Sequence, residues 1–329
     1  MKYKIAITGA GGGVGQSIIK SLQHTDYELV ALDGEPLGAG LYWCKTSYVI
    51  PYCTSPDYID VLLDICLKEN IAILFPGLDF ELDILSKNVD RFDEIGTKVI
   101  VSSPEVIEIA NNKWKTYEHL SKASINLPKT IPMTPTIPSD LSFPVVIKQK
   151  LDGAGSKNVF VVKNLIDFDY QANKLNPDKF ILQEFIDGDE YTCGTVSLDG
   201  EYYGCIVMRR ILRDGDTYKA FVEKNPVIEE YVKSIVQYIK PYGACNIQLR
   251  VKDKVPYLLE INARCSGTTA SRTLCGFNEP KMICDYILKD ISPTYNIEEI
   301  VILRYWNELV TNYQYLNTLK TTKTLKQSV

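Results

Sequence analysis

The sequence predicts a fold of two kinds: an α/β unit with a Rossmann-like parallel sheet, then an α+β module whose sheets are antiparallel. Three stretches predict it. Residues 4–33 alternate strand, glycine turn, helix and strand, the opening of a βαβ unit. The run from Leu127 to Pro144 holds Pro128, Pro132, Pro135, Pro138 and Pro144, which excludes helix, breaks up any central strand and separates the modules. Beyond it strands succeed one another with polar turns, and Asn246–Arg264 reads as a hairpin joined at Lys252-Asp253-Lys254.

In the first unit, Lys4–Thr8 is a short buried strand, Gly9–Gly15 a tight turn, Gln16–Gln23 a helix, and Tyr27–Leu32 a second strand ending at Asp33. Glycines let the backbone turn sharply and let an anion approach the helix N-terminus. The spacing of Thr8, Gly9, Gly12 and Gly15 resembles the start of extended short-chain dehydrogenases, but strict Gly-x-Gly-x-x-Gly fails because Val14 holds the third position. The alternation continues through a helix at 56–69, a strand at Ile71–Phe75, a helix around 80–88 and a strand at Lys98–Val101. Ser103, Pro104 and Glu105 then suit the cap and first turn of a helix reaching Ala110, and Asn111-Asn112 interrupts it before a second helix carrying Lys113.

The second module opens with the strand Val145–Lys150, the loop Asp152–Lys157 and the strand Val159–Val162. No helix follows the glycines, so this is not a P-loop, yet backbone amides of such a loop can close over phosphates while Lys148 beneath adds a point charge. A plain glycine-containing hairpin reads the same way. A short helix at 167–174, strands at 180–183, 191–197 and 202–209, a polar loop at Asp214-Gly215-Asp216 and a helix at 227–239 lead to the hairpin.

In that hairpin Ile247, Leu249 and Val251, with Tyr257, Leu259, Ile261 and Ala263, make the inward face, and Gln248, Glu260 and Asn262 share the other with Arg264 at the end of the row. A carboxylate and two amide oxygens on rigid strands suit Mg²⁺, which completes its octahedron with phosphate and water oxygens. A half-exposed hairpin shows the same alternation, so the reading depends on phosphate-binding groups elsewhere.

With these elements in order, residues 1 to about 290 resemble the ATP-grasp superfamily, and within it the single-module relatives of the carbamoyl-phosphate synthase large subunit. Lys113, Lys148, the 152–157 loop, Gln183-Glu184-Phe185-Ile186 with Glu190, then Gln248, Glu260-Ile261-Asn262 and Arg264 carry the resemblance. It implies a Rossmann-like preATP-grasp domain followed by a two-subdomain ATP-grasp module, divided at 1–102, 103–185, 186–295 and a C-terminal extension 296–329 whose last dozen residues stay loose. The two lysines would meet the α- and β-phosphates, with Gly153, Ala154, Gly155 and Ser156 folding over the β- and γ-phosphates. Glu184 and the Ile186 backbone, in the hinge Gln183–Ile186, would meet the adenine edge, and Glu190 would accept from the ribose. Gln248, Glu260 and Asn262 would hold Mg²⁺, with Mn²⁺ the alternative, and Arg264 would neutralise the transferring phosphoryl group. The fragment Pro76–Leu82 looks like the preATP-grasp third-strand loop. Departures are the single module, the absence of any glutaminase-like or allosteric segment, and an amide, Gln248, where a second acidic metal ligand is usual.

The activity implied is ATP-dependent ligation: a carboxylate is activated as an acyl phosphate and an amine displaces the phosphate, with ADP released. The expected partners are small-molecule carboxylate and amine substrates, contacted through Arg272, Gly11 and Gly12, with Arg209 and Arg210 as further carboxylate binders; a second copy of the chain is left open as a partner. The rival is an NAD(P)-dependent short-chain-type oxidoreductase, supported by Tyr170-x-x-x-Lys174 with Ser156 upstream; an ATP-grasp kinase and a non-catalytic nucleotide-binding protein are the others. A formal net charge of −5 argues against nucleic-acid binding. Nine cysteines without a Cys-x-x-Cys pair suggest buried reduced thiols. No apolar run reaches the ~18 residues of a membrane span and the first residues lack a signal-peptide pattern, so a cytoplasmic location is expected.

Overall fold

The computed structural model describes residues 2–151 and 158–327. The N-terminal domain runs β1 (Lys4–Ile7), α1 (Gly13–Leu22), β2 (Glu28–Asp33), β3 (Thr46–Val49), α2 (Tyr58–Glu69), β4 (Ile71–Phe75), α3 (Leu82–Ser86), α4 (Val89–Glu94) and β5 (Lys98–Val99). The strands pair in parallel in the order β3-β2-β1-β4-β5. Both faces are covered, as a parallel sheet requires: Ile5 and Ile7 pack with Ile18, Ile19 and Leu22 of α1, while Ala6 packs with Leu62 and Ile65 of α2. Strand β3 lay outside the sequence reading because Thr46-Ser47-Tyr48-Val49 offers no apolar run.

Two helices follow, α5 (Pro104–Asn111) and α6 (Lys113–Leu120). The Ser103 side chain caps α5 by accepting from Val106 N–H. The expected interruption is itself a cap, since the Asn112 side chain accepts from the Trp114 and Lys115 N–H groups and fixes Lys113 at the start of α6. The small subdomain holds β6 (Thr130–Pro132), β7 (Val145–Gln149), β8 (Val159–Val162), α7 (Leu165–Ala172) and β9 (Phe180–Glu184) as an antiparallel sheet in the order β6-β9-β7-β8.

The central subdomain contains β10 (Asp189–Leu198), β11 (Glu201–Arg213), β12 (Asp216–Val222), α8 (Pro226–Ile239), β13 (Gly243–Lys252), β14 (Val255–Asn262), α9 (Thr269–Leu274), α10 (Glu279–Lys289) and β15 (Val301–Leu303). Its sheet order is β14-β13-β10-β11-β12-β15. The expected polar loop at 214–216 is a two-residue hairpin turn, with Asp214 and Gly215 both at positive φ, and β12 follows directly. Because β15 pairs with β12, the central sheet continues past the expected boundary at 295.

The last residues also depart from expectation. After α11 (Tyr313–Thr322), β16 (Thr324–Lys326) adds antiparallel to β3 at the edge of the N-terminal sheet. Leu319 and Leu325 are buried in the N-terminal core, and Lys326 Nζ lies 3.0 Å from Glu69 Oε1. Lysines and threonines gave no such signal, because two leucines supply the anchorage and an existing sheet edge supplies the hydrogen bonds. All nine cysteines are free, eight of them buried, and no described helix is long and apolar enough to cross a membrane.

Leu325→Ala is expected to lower the free energy of unfolding by about 2–4 kcal/mol, whereas Leu67→Ala at an exposed position changes it by less than about 0.5 kcal/mol. Urea denaturation followed by far-UV circular dichroism measures both, and equal small effects would show that β16 does not belong to the cooperative core.

Candidate functional site

The site lies where the small and central sheets face one another, and a one-residue irregularity shapes its floor. Gln248 stands opposite Glu260, but the next pair is Leu249 with Leu258, so Leu259 is the extra residue of a β-bulge. The bulge corrects the expected alternation: Leu258, assigned to the polar face, is buried in the core, and Leu259, assigned to the core, lines the cleft. Its carbonyl accepts from Lys148 Nζ at 3.2 Å. A single inserted residue therefore gives the cleft both an apolar wall and an anchor for Lys148.

Around that floor the structure gathers Lys113, Lys148, Gln183, Glu184, Phe185, Ile186, Glu190, Gln248 and Glu260, all named from the sequence. Gly153, Ala154, Gly155 and Ser156 lie outside the described residues. Lys113 Nζ approaches Glu260 Oε1 at 3.0 Å. Gln183 is turned away from the opening, donating to Thr130 Oγ1 at 2.8 Å, and Glu184 Oε2 accepts from Lys129 N–H at 3.2 Å, so both brace the hinge against β6. Phe185 carries the Arg250 guanidinium over its ring, 5.3 Å from the centroid.

Two arginines complete the electrostatics. Arg210 from β11 and Arg250 from β13 clasp Glu190 on β10 from either side, at 2.7 and 3.0 Å. Arg250 lies two residues beyond Gln248 on the same strand, and Arg210, expected as a carboxylate binder for substrate, is instead paired with Glu190 across the β10–β11 register. Arg210 also donates to Gln248 Oε1 at 2.9 Å. Val146, Val159, Val161, Leu212 and Leu259 form the apolar wall of the cleft. Such a space, apolar on one side and edged by four cationic side chains, matches a flat heterocycle carrying phosphates. Burial, assisted by Lys113, pushes Lys148 down to about 7 despite the opposing pull of Glu260 and Glu190.

A second space adjoins the first through Lys113 and Glu260, and is lined also by Asp79, Phe80, Asp83 and Asn262. At its edge Arg264 donates to Asp79, Nε to Oδ1 at 2.7 Å. Asp79 belongs to the loop after β4, so this ion pair joins the N-terminal domain to the end of β14. The loop is held by Glu81, fully buried, whose carboxylate accepts from Thr8 Oγ1 at 2.6 Å and from the Gly77 and Leu78 N–H groups at 2.8 and 2.9 Å, with Tyr58 as a fourth donor. Burial drives the Glu81 pKa upward while these four donors oppose it.

The metal residues fit a single ion held chiefly by the nucleotide. Glu260 and Asn262 border one space and supply one carboxylate and one amide oxygen, a set suited to Mg²⁺ with phosphate and water completing the shell. Gln248 fits less well, because its oxygen already accepts from Arg210. Among the described residues no group of three acidic, histidine or cysteine side chains could cage an ion without the nucleotide.

The expected substrate residues divide. Arg272 is fully buried and paired with Glu279 at 2.7 Å, also reaching Thr192 and Asn246, so it serves the core and is closed to a substrate. Arg209 pairs with Glu223 at 2.7 Å and does not line the cleft. Gly11 and Gly12 line a separate basin in the N-terminal domain.

Comparison with known proteins assigns the two segments separately. Residues 176–308 match the family described as "ATP-grasp in the biosynthetic pathway with Ter operon", and residues 5–100 match "PylC-like, N-terminal domain". Residues 176–308 are an ATP-grasp segment. The chain is 30% identical over 195 residues to the carbamoyl phosphate synthase large chain of Thermoanaerobacter sp. (strain X514), covering 53% of itself but 18% of that protein; it spans about a fifth of the length of that curated relative. Its fold is similar to that of an ADP complex of N5-carboxyaminoimidazole ribonucleotide synthetase, with a TM-score of 0.74 at 13% identity over 92% of this chain and 81% of that one. It is similar also to the Staphylococcus aureus N5-carboxyaminoimidazole synthetase complexed with ADP, at 0.73, 14%, 93% and 83%.

The oxidoreductase reading is not favoured. Tyr170 is exposed on the short helix α7 of the small subdomain, with Lys174 stacked over its ring at 3.6 Å, well away from the parallel sheet.

The lowered Lys148 pKa has a measurable consequence. At pH 8 the free ammonium is largely deprotonated, and phosphate oxygens favour the charged form, so ADP binding is expected to draw close to one proton from the buffer and none at pH 6. Titration calorimetry in Tris and phosphate buffers measures this uptake, and its persistence in Lys148→Met would assign the proton elsewhere.

Proposed function

We propose that this protein is an ATP-grasp enzyme, an ADP-forming carboxylate–amine ligase that activates a carboxylate as an acyl phosphate. The observation that supports this best is the continuity of the cationic cleft with the space beside Arg264, through Lys113 and Glu260. Phosphoryl transfer asks mainly for alignment and charge neutralisation, and these residues provide both without a dedicated base.

In this reading the adenine lies against Val146, Val161 and Leu259, the ribose lies near Glu190, and Lys148 and Lys113 meet the phosphates. Glu260 and Asn262 would hold Mg²⁺, or Mn²⁺ in its place, which would supply neutralisation of the phosphate charge. Arg264, with its planar fork already oriented by Asp79, meets the transferring phosphoryl group. The amine then attacks the acyl carbon, a C–N bond forms, the C–O bond to phosphate breaks and the amine's proton leaves to solvent. The enzyme is read as cytoplasmic.

Incubation of the protein with Mg-ATP, candidate carboxylates and amines should release ADP only when both organic reactants are present, with a product whose mass is their sum less water. A stable phosphate ester in place of an amide would make the protein a kinase, and a melting shift with NADH but not with Mg-ATP would reinstate the oxidoreductase. Glu260→Gln should lower ADP release by about 10²-fold or more with an unchanged circular dichroism spectrum; near-normal turnover would remove Glu260 from the metal site.

A further inference from the structure

The basin beside the glycine turn is the most capacious of the concave spaces described above, with a cavity volume of about 990 Å³. It sits at the carboxyl ends of β1, β2 and β4, where open parallel sheets bind ligands. Phe80 and Asp83 line both this basin and the space beside Glu260 and Asn262, so the two are continuous. Four large apolar side chains face it while remaining in solvent: Leu37, Tyr52 and Phe80 are each 65% exposed and Leu78 38%. Such convergence of exposed apolar surface on one concavity marks a binding site.

Charge sets the class of ligand. The nucleotide cleft is lined by Lys113, Lys148, Arg210 and Arg250; among the described residues the basin has no Lys or Arg on its wall and carries Asp33, Glu35, Glu81 and Asp83. Glu81 is consumed by its four donors, and Asp83 pairs with Lys87 at 2.6 Å outside the basin. Asp33 and Glu35 are held by backbone donors: Asp33 accepts from Gly11 and Glu35 N–H, and Glu35 accepts from Leu37 N–H at 3.0 Å. The glycine turn, which elsewhere offers an anion its amides, has none to offer at these two positions. Gly11 N–H is given to Asp33 and Gly12 N–H to the Gly9 carbonyl at 2.9 Å. A phosphorylated substrate would find two carboxylates and no counter-charge there. An organic cation would find carboxylates with acceptor capacity beside aromatic faces.

We infer that this basin binds the amine-bearing reactant as an organic ammonium with an apolar or aromatic body, and excludes phosphorylated substrates. The inference rests on the ligase reading for the ammonium's role and on the basin alone for its binding.

Calorimetric titration of the full chain with phenethylamine, L-phenylalanine, phenylacetate and phenyl phosphate tests it. Phenethylamine or L-phenylalanine should bind at least about tenfold more tightly than both anions, and Glu35→Lys and Tyr52→Ala, at residues that line the basin alone, should each weaken that binding several-fold while leaving ADP affinity unchanged. Preference for phenethylamine assigns the basin to a free amine; preference for L-phenylalanine assigns it to the amino end of an amino acid. Tighter binding of phenyl phosphate, absence of binding by both amines, or indifference to Glu35→Lys would overturn the inference. ADP release separates the two readings: amine binding with no ADP release when Mg-ATP and a panel of carboxylates are also supplied defeats the ligase and leaves the basin assignment, whereas ADP release with a phosphorylated acceptor does the reverse.

Discussion

The ion pair between Asp79 and Arg264 is the constraint on which the site depends. It ties the loop after β4 to the end of β14, so the reaction space is bounded by residues from both domains. A guanidinium beside a carboxylate in a half-buried setting keeps its orientation before any ligand arrives. The pair is precise only because Asp79 cannot wander: the next turn of the chain is locked by Glu81, a fully buried carboxylate spending its acceptor capacity on β1, α2 and its own loop. Burying that charge is costly, and the four donors are what makes it tolerable.

The two spaces on either side of this pair are electrostatic opposites. In the cleft, four cations stand among three carboxylates, and Lys148 responds to its burial by losing affinity for its proton. In the basin, carboxylates stand among aromatic and aliphatic side chains, with no basic neighbour on the wall among the described residues. On the proposed ligase reading, such a gradient lets each end reject the other's ligand by charge alone. The Arg210–Glu190–Arg250 clasp keeps the cleft's cations in place while no nucleotide neutralises them.

The floor of the cleft shows how little sequence change such a site requires. One residue beyond strict alternation at Leu259 turns an aliphatic side chain out of the core and releases a carbonyl toward Lys148. The same bulge leaves Glu260 opposite Gln248 and Asn262 opposite Asn246, so the polar row survives intact on its outer side. Bulges beside binding sites commonly re-aim side chains in this manner.

By itself the sequence determined the order of elements and the chemical identity of the site. Glycine turn, proline break, capped helices and polar alternation are local signals, set by backbone geometry within a few residues; they singled out Lys148, Glu260, Asn262 and Arg264, whereas Lys113 and Glu190 came from the resemblance to the ATP-grasp superfamily. Only the tertiary structure decided which of these groups are engaged with one another and which side chains join them. Arg210 enters the site by strand register, Leu259 by a bulge, Asp79 by contact between domains, and Arg272 leaves it because the core pairs it with Glu279. The C-terminal strand belongs to the same class, since β16 forms only against the edge of β3 and its sequence carries no strand signal of its own. Residues close in the chain fix one another's conformation, but pairing over long separations is selected by packing and hydrogen bonding in the assembled molecule, which no local pattern records.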